Sequence, residues 1–233
     1  MANRSRVSVI GLGPGDPELI TLRAKKIIEL SGHVCFPRTE HGSLAYEIAN
    51  RYLQKEVEVI WLEIEMGGEG DKIGRKKGFT RLIELINEEV SFAYLALGDP
   101  AFYCTFWRAW SSLREEIPDL ESRVDLEIIP GISSISASSA VAKEPLALGD
   151  ESVLITTCSS LTSLNDMNAD TIVALKCGAL PDLSIERFKI TVIRRAFMDG
   201  EMVIELDGDR ESNKKNHDYM TTLIARRRAE WKR

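Results

Sequence analysis

Two glycine-bearing turns are the parts of this chain whose spacing invites chemistry: Gly11-Leu12-Gly13-Pro14-Gly15-Asp16 and Leu97-Gly98-Asp99-Pro100. Each follows a short apolar run, residues 7–10 and 92–97, so each reads as a loop leaving a buried strand. Glycine there lets the backbone come close to a ligand. A dinucleotide is the first ligand to test, because a strand followed by Gly-x-Gly and a helix can cradle a pyrophosphate. The spacing argues against it. Asp16 occupies the sixth position, where the fingerprint needs glycine, and the third glycine arrives one residue early as Gly15. Pro14 removes a backbone donor. Asp16 and Glu18 place negative charge where a helix N-terminus would otherwise welcome an anion. The loop suits a ligand other than phosphate, and taken alone it is equally consistent with a tight turn that binds nothing.

Other chemistries find less support. His33, His41 and His217 have no partner at ligand spacing, so no metal is expected. Cys35, Cys104, Cys158 and Cys177 are scattered without a CxxC, which reads as buried or incidental thiols rather than a disulfide framework. A net charge of −6 argues against general nucleic-acid binding, and the basic stretch 226–233 reads as a solvated terminus. No apolar run is long enough to span a membrane, and the polar start lacks the long apolar stretch of a secretory signal. A cytoplasmic location without membrane partners is expected.

The elements that must position the two turns alternate in type. Strands are predicted at 7–10, 33–36, 57–62 and 92–97, with helices after Thr21, at 44–53 and at 71–89, and a loop at 66–70. Strands alternating with helices imply an α/β protein with a mainly parallel, doubly covered sheet, whose ligands gather at the carboxyl ends of strands. The pattern breaks at Ile117-Pro118-Asp119, which puts a boundary between a first domain, 1–118, and a second, 119–233. The second opens with a strand at 124–129, then Pro130-Gly131-Ile132-Ser133-Ser134 and a small-residue helix. Strands follow at 153–157, 171–175 and 190–193, and 202–206 with 219–225 reads as a final antiparallel pair.

Four blocks in this order resemble the tetrapyrrole methylase family. Residues 11–24 are similar to its opening motif, Leu97-Gly98-Asp99-Pro100 to its central Gly-Asp-Pro with the first glycine replaced, Pro130-Gly131-Ile132-Ser133-Ser134 to the start of its second domain, and Thr171-Ile172-Val173-Ala174-Leu175-Lys176 to a later strand. Within the family, Gly98-Asp99-Pro100-Ala101-Phe102-Tyr103-Cys104-Thr105-Phe106 is most similar to the methyltransferases that act at C20 of precorrin-2 or cobalt-factor II in cobalamin biosynthesis. The resemblance implies two α/β domains in a homodimer, with S-adenosylmethionine in a cleft between the domains and S-adenosylhomocysteine as product. It implies donor contacts at Pro14, Leu97, Gly98, Asp99, Phe102, Ser133, Ser134, Leu175 and Ala196.

A sulfonium donor carries its own leaving group, so alignment is the protein's main task, worth on the order of 7–11 kcal/mol. No dominant catalytic side chain is required; Asp99 and Tyr103 are the candidates by position for a weak base. A tetrapyrrole substrate bears many carboxylates, so an acidic protein must gather positive charge locally. Arg38 and Lys176, then Arg108 and Arg194, are the expected substrate-binding residues. The aromatics Phe102, Tyr103, Phe106, Trp107 and Trp110 are divided between core and macrocycle wall. Alternatives are a methyltransferase of the same fold acting on another tetrapyrrole position, a diphthamide precursor or ribosomal RNA, or a ligand-binding module without turnover.

Overall fold

The computed structural model describes residues 4–64, 77–161, 163–164, 167–180, 187–206 and 218–228. The chain divides into two units, Met1–Ser133 and Ser134–Arg233, each with its own five-stranded sheet. The predicted loop at 66–70, the first residues of the predicted helix at 71–89, His217 and residues 229–233 lie outside the described residues.

The first unit runs β1 (Ser5–Gly11), α1 (Leu22–Leu30), β2 (His33–Arg38), α2 (Leu44–Ala49), β3 (Glu58–Glu63), α3 (Lys77–Asn87), β4 (Phe92–Ala96), α4 (Phe106–Glu116), α5 (Leu120–Arg123) and β5 (Val124–Ile129). Its strands lie in the order β3-β2-β4-β1-β5 and every pairing is parallel. Alternate residues of the central strands feed two cores. Val7, Val9, Tyr94 and Ala96 pack with Leu82, Leu85, Trp110 and Leu113 of α3 and α4. Ile10, Ala93 and Leu95 pack with Ala24, Ile28, Ala45 and Ile48 of α1 and α2. Burial on both faces is why these strands are almost continuously apolar. Thr21 caps α1 as the sequence predicts, its Oγ1 accepting from the Ala24 amide at 3.1 Å.

Helix α3 lies directly against β3, and Gly78 makes that possible. A Cβ built there would fall 1.9 Å from the Trp61 carbonyl oxygen. Gly78→Ala gains helix propensity of about 0.5–1 kcal/mol, but forcing backbone apart costs about 1–3 kcal/mol. Net destabilisation is expected in a urea melt; an unchanged or raised midpoint would show that α3 can slide off β3 freely.

The second unit holds α6 (Ser134–Ala142), β6 (Val153–Thr157), β7 (Thr171–Leu175), β8 (Phe188–Arg194), β9 (Met202–Leu206) and β10 (Thr221–Arg227). Its sheet is mixed, in the order β6-β7-β10-β8-β9. Helix α6 packs on β7, β8 and β10. Its buried residues include Ala137 and Ser138, small enough for close approach.

Four expectations are revised. The units divide at Ser133/Ser134 rather than after residue 118, because β5 pairs with β1 from Ser5↔Val124 to Ile10↔Ile129 and completes the first sheet. The last two strands do not pair with each other: β9 pairs with β8, while β10 lies between β7 and β8. Cys158 and Cys177 form a disulfide, joining the turns that follow β6 and β7. The start of the basic stretch is packed rather than solvated. Arg226 pairs with Glu151 at 2.6 Å with both side chains largely buried, and the Arg227 guanidinium lies 5.2 Å from the Phe188 ring centre.

Candidate functional site

Because all five strands of the first sheet are parallel, the loops after β1, β2, β4 and β5 emerge along one edge. Three of these loops begin with glycine contacts. Gly13 and Gly98 form a two-way backbone bridge, the Gly98 amide donating to the Gly13 carbonyl at 2.7 Å and the Gly13 amide returning at 3.2 Å. The Gly98 carbonyl oxygen lies between the first and third loops. A Cβ on Gly11 would sit 2.7 Å from it, and one on Gly131 only 2.3 Å. Gly11 and Gly131 were not among the predicted site residues. Their signal was available, as a glycine at or just after the end of each of three parallel strands.

Gly98 itself differs. Its φ is +73°, yet a Cβ there would meet nothing within 4 Å among the described residues beyond its chain neighbours, so its open side faces free space. Asp99 completes the turn, one carboxylate oxygen accepting from the Ala101 amide at 2.7 Å and the other from the Gly131 amide at 3.2 Å. Pro14 is buried in the first loop and Leu97 is half-buried beneath the second, while Ser133 closes the third. The loop after β1 does not enter a helix directly. A short turn, Pro17–Leu19, intervenes, and the Asp16 carboxylate accepts from the Glu18 amide at 2.8 Å. This is not the glycine-to-helix junction that holds a pyrophosphate.

The aromatic segment after Asp99 separates into two sets. Phe106 and Trp110 are core residues. Phe102, Tyr103 and Trp107 are about 40% exposed, with 38%, 46% and 41% of their surfaces accessible. Tyr103 is held at φ +50°, a conformation a non-glycine side chain adopts only under constraint. Burial pushes the Cys104 thiol up to about 11, so it is protonated at neutral pH and is no nucleophile. Arg38 ends β2 at the same edge, its guanidinium 5.2 Å from the Trp61 ring centre. Arg108 lies exposed in the first turn of α4.

In the second sheet β6, β7 and β8 run in one direction, so Leu175, Lys176, Arg194 and Ala196 share its carboxyl edge. Leu175 and Ala196 are buried. Lys176 (φ +59°), Arg195 (φ +51°) and Phe197 (φ +56°) are constrained in the same unusual region as Tyr103. The Lys176 ammonium lies 5.4 Å from the ring centre of Tyr219, a residue the sequence did not single out. The Nε of Arg194 is buried and has no hydrogen-bond partner among the described residues. Ser134 opens α6. Among the described residues no group of three or more His, Cys, Asp and Glu could hold a metal ion, and no helix is long and apolar enough to cross a membrane. A groove of about 330 Å³ in the first unit runs past Trp107, Trp110, Arg114 and Leu126; it takes in two of the aromatics considered for the macrocycle wall but none of the residues expected to contact donor or carboxylates.

The model of the tetrapyrrole (corrin/porphyrin) methylases matches residues 6–206. The chain belongs to this family. A probable cobalt-precorrin-2 C(20)-methyltransferase of Methanocaldococcus jannaschii is 30% identical over 231 residues, covering 95% of this chain and 96% of that protein. A cobalt-precorrin-4 C(11)-methyltransferase of the same organism is 31% identical over 159 residues, 67% of this chain and 54% of the other. Among solved structures, uroporphyrin-III C-methyltransferase of Thermus thermophilus matches with a TM-score of 0.68 at 22% identity, over 96% of this chain and 93% of that one. A structure of the Thermus enzyme complexed with S-adenosyl homocysteine matches with a TM-score of 0.61 at 18% identity, covering 95% and 97%. These structures share the fold of this tetrapyrrole methylase, two α/β units with separate sheets.

Proposed function

We propose that this tetrapyrrole methylase transfers a methyl group from S-adenosylmethionine to C20 of precorrin-2 or its cobalt-loaded form, working as a homodimer. The observation that carries the C20 reading is the end-to-end similarity to the Methanocaldococcus C(20)-methyltransferase, which covers nearly all of both chains. The shorter match to a C(11)-methyltransferase makes another ring position the second reading.

The donor fits the residues present. The space before Gly98 is open, the glycine loops offer backbone rather than cations, and Asp16 and Glu18 suit a sulfonium better than a pyrophosphate. Pro14, Leu97, Gly98, Asp99 and Phe102 with Ser133, and Ser134, Leu175 and Ala196, are assigned to hold it. In the transfer the sulfur–methyl bond breaks, a carbon–carbon bond forms at the electron-rich meso carbon, and that carbon then loses a proton. The chain's contribution is alignment. Arg38, Arg108, Lys176 and Arg194 are assigned to the substrate's carboxylates, and the Arg194 Nε, without a partner among the described residues, supports this, since a buried donor without an acceptor is costly unless a ligand supplies one.

The test incubates the protein with methyl-labelled donor and either metal-free or cobalt-loaded precorrin-2. A product labelled at C20 is expected. Label at another carbon would replace the C20 reading with the second one, and donor binding without transfer to either substrate would leave a ligand-binding module.

A further inference from the structure

We propose that Asp99 is a positioning residue, whose carboxylate latches the loop after β5 to the loop after β4, rather than a proton acceptor. The inference rests on the donor reading only for its effect on affinity. Both oxygens of this carboxylate are already engaged by backbone. One oxygen closes the turn of its own loop through the Ala101 amide at 2.7 Å. The other crosses to the Gly131 amide at 3.2 Å.

The crossing bond holds a junction with no slack. Gly131 presses so closely on the Gly98 carbonyl that a Cβ would come within 2.3 Å of it. The first and second loops are tied by the reciprocal Gly13–Gly98 backbone bonds. Between the second and third, the bond from the Gly131 amide to the Asp99 carboxylate does the corresponding job. Two residues beyond Gly131 stands Ser133, assigned to the donor, so Asp99 fixes where that serine begins. An ionised carboxylate only accepts, and it does so at both oxygens, which matches two amide donors on separate loops. Each oxygen keeps a second lone pair, but both already accept from backbone amides of two different loops, which is the work of a latch.

Asp99→Asn keeps one accepting oxygen and Asp99→Ala keeps none, so a latch predicts a graded response. Amide hydrogen exchange at Gly131 is expected to quicken in both variants, more in Ala than in Asn. The Kd for S-adenosylhomocysteine should rise about tenfold in Asn and on the order of a hundredfold in Ala, as one and then two bonds to a charged group are lost. The fall in kcat/KM for the donor should track the rise in Kd, because the bonds lost act on donor binding. Unchanged Gly131 exchange in Asp99→Ala would overturn the latch. So would a collapse of kcat at saturating donor with Kd unaltered, which is the pattern of a lost base. Should the wild-type protein bind no S-adenosylhomocysteine, the donor reading fails, and the Gly131 exchange by itself decides the latch.

Discussion

Gly98→Arg is expected to abolish donor binding while leaving the first unit folded. Beyond its chain neighbours, the side chain meets none of the described residues as it leaves the backbone, since none lies within 4 Å of its first carbon. It enters the space assigned to the donor and fills it. The cost to folding is the left-handed backbone, φ +73°, which adds about 1–2 kcal/mol for a non-glycine residue. Loss of affinity should exceed about a hundredfold, equivalent to about 2.8 kcal/mol. Gly149→Arg is the matched control. It has φ +58° and equally open surroundings, but lies on the exposed loop after α6. Calorimetric titration with S-adenosylhomocysteine should show binding by Gly149→Arg and none by Gly98→Arg, with similar urea midpoints for both. Retained affinity in Gly98→Arg would move the donor elsewhere.

Breaking the Cys158–Cys177 disulfide is expected to destabilise the second unit by about 3 kcal/mol, the loop-closure value for a bridge spanning a loop of this size. The two cysteines are 19 residues apart, and both are buried in the core of the second sheet. The bond has a local effect as well, because Cys177 directly follows Lys176 and its amide donates to the Thr221 carbonyl at 3.0 Å. Thiol titration of the denatured, unreduced protein should find two of its four cysteines, and all four after a dithiol reductant. Thermal unfolding of the paired Cys158→Ala, Cys177→Ala variant should fall below wild type. Four free thiols without reductant would remove the bridge from the account.

Local physics made much of the fold legible. Thr21 stands one residue before an apolar helical period, and it caps α1. The unbroken apolar run 92–97 reads as a strand covered on both faces, and β4 is buried throughout. Non-local pairing was not legible. Val124-Asp125-Leu126-Glu127-Ile128-Ile129 has the pattern of a strand, but nothing in it names β1 as its partner, and Pro118 imitates a boundary. The same limit hid β10, since adjacency in sequence favours a hairpin with β9 and the sheet places it elsewhere. In the candidate site the loops could be read one at a time. Their contact through the Gly98 carbonyl could not, because it depends on three strands being parallel and in register. The disulfide left no spacing signal for the same reason: its cysteines meet only once β6 and β7 lie side by side.

The place of β10 bears on how the chain is made. Every strand of the first sheet lies within residues 5–129, so that unit can close soon after its own residues leave the ribosome. The second sheet has its middle strand last. Until Thr221–Arg227 is synthesised, β6 with β7 and β8 with β9 are two separate ribbons, each with a raw edge where β10 belongs. Such edges are templates for stray pairing. Vectorial synthesis therefore leaves this half exposed to misassembly while its neighbour is already sealed, and a nascent chain stalled before residue 221 would carry two sticky half-sheets rather than a shorter version of one.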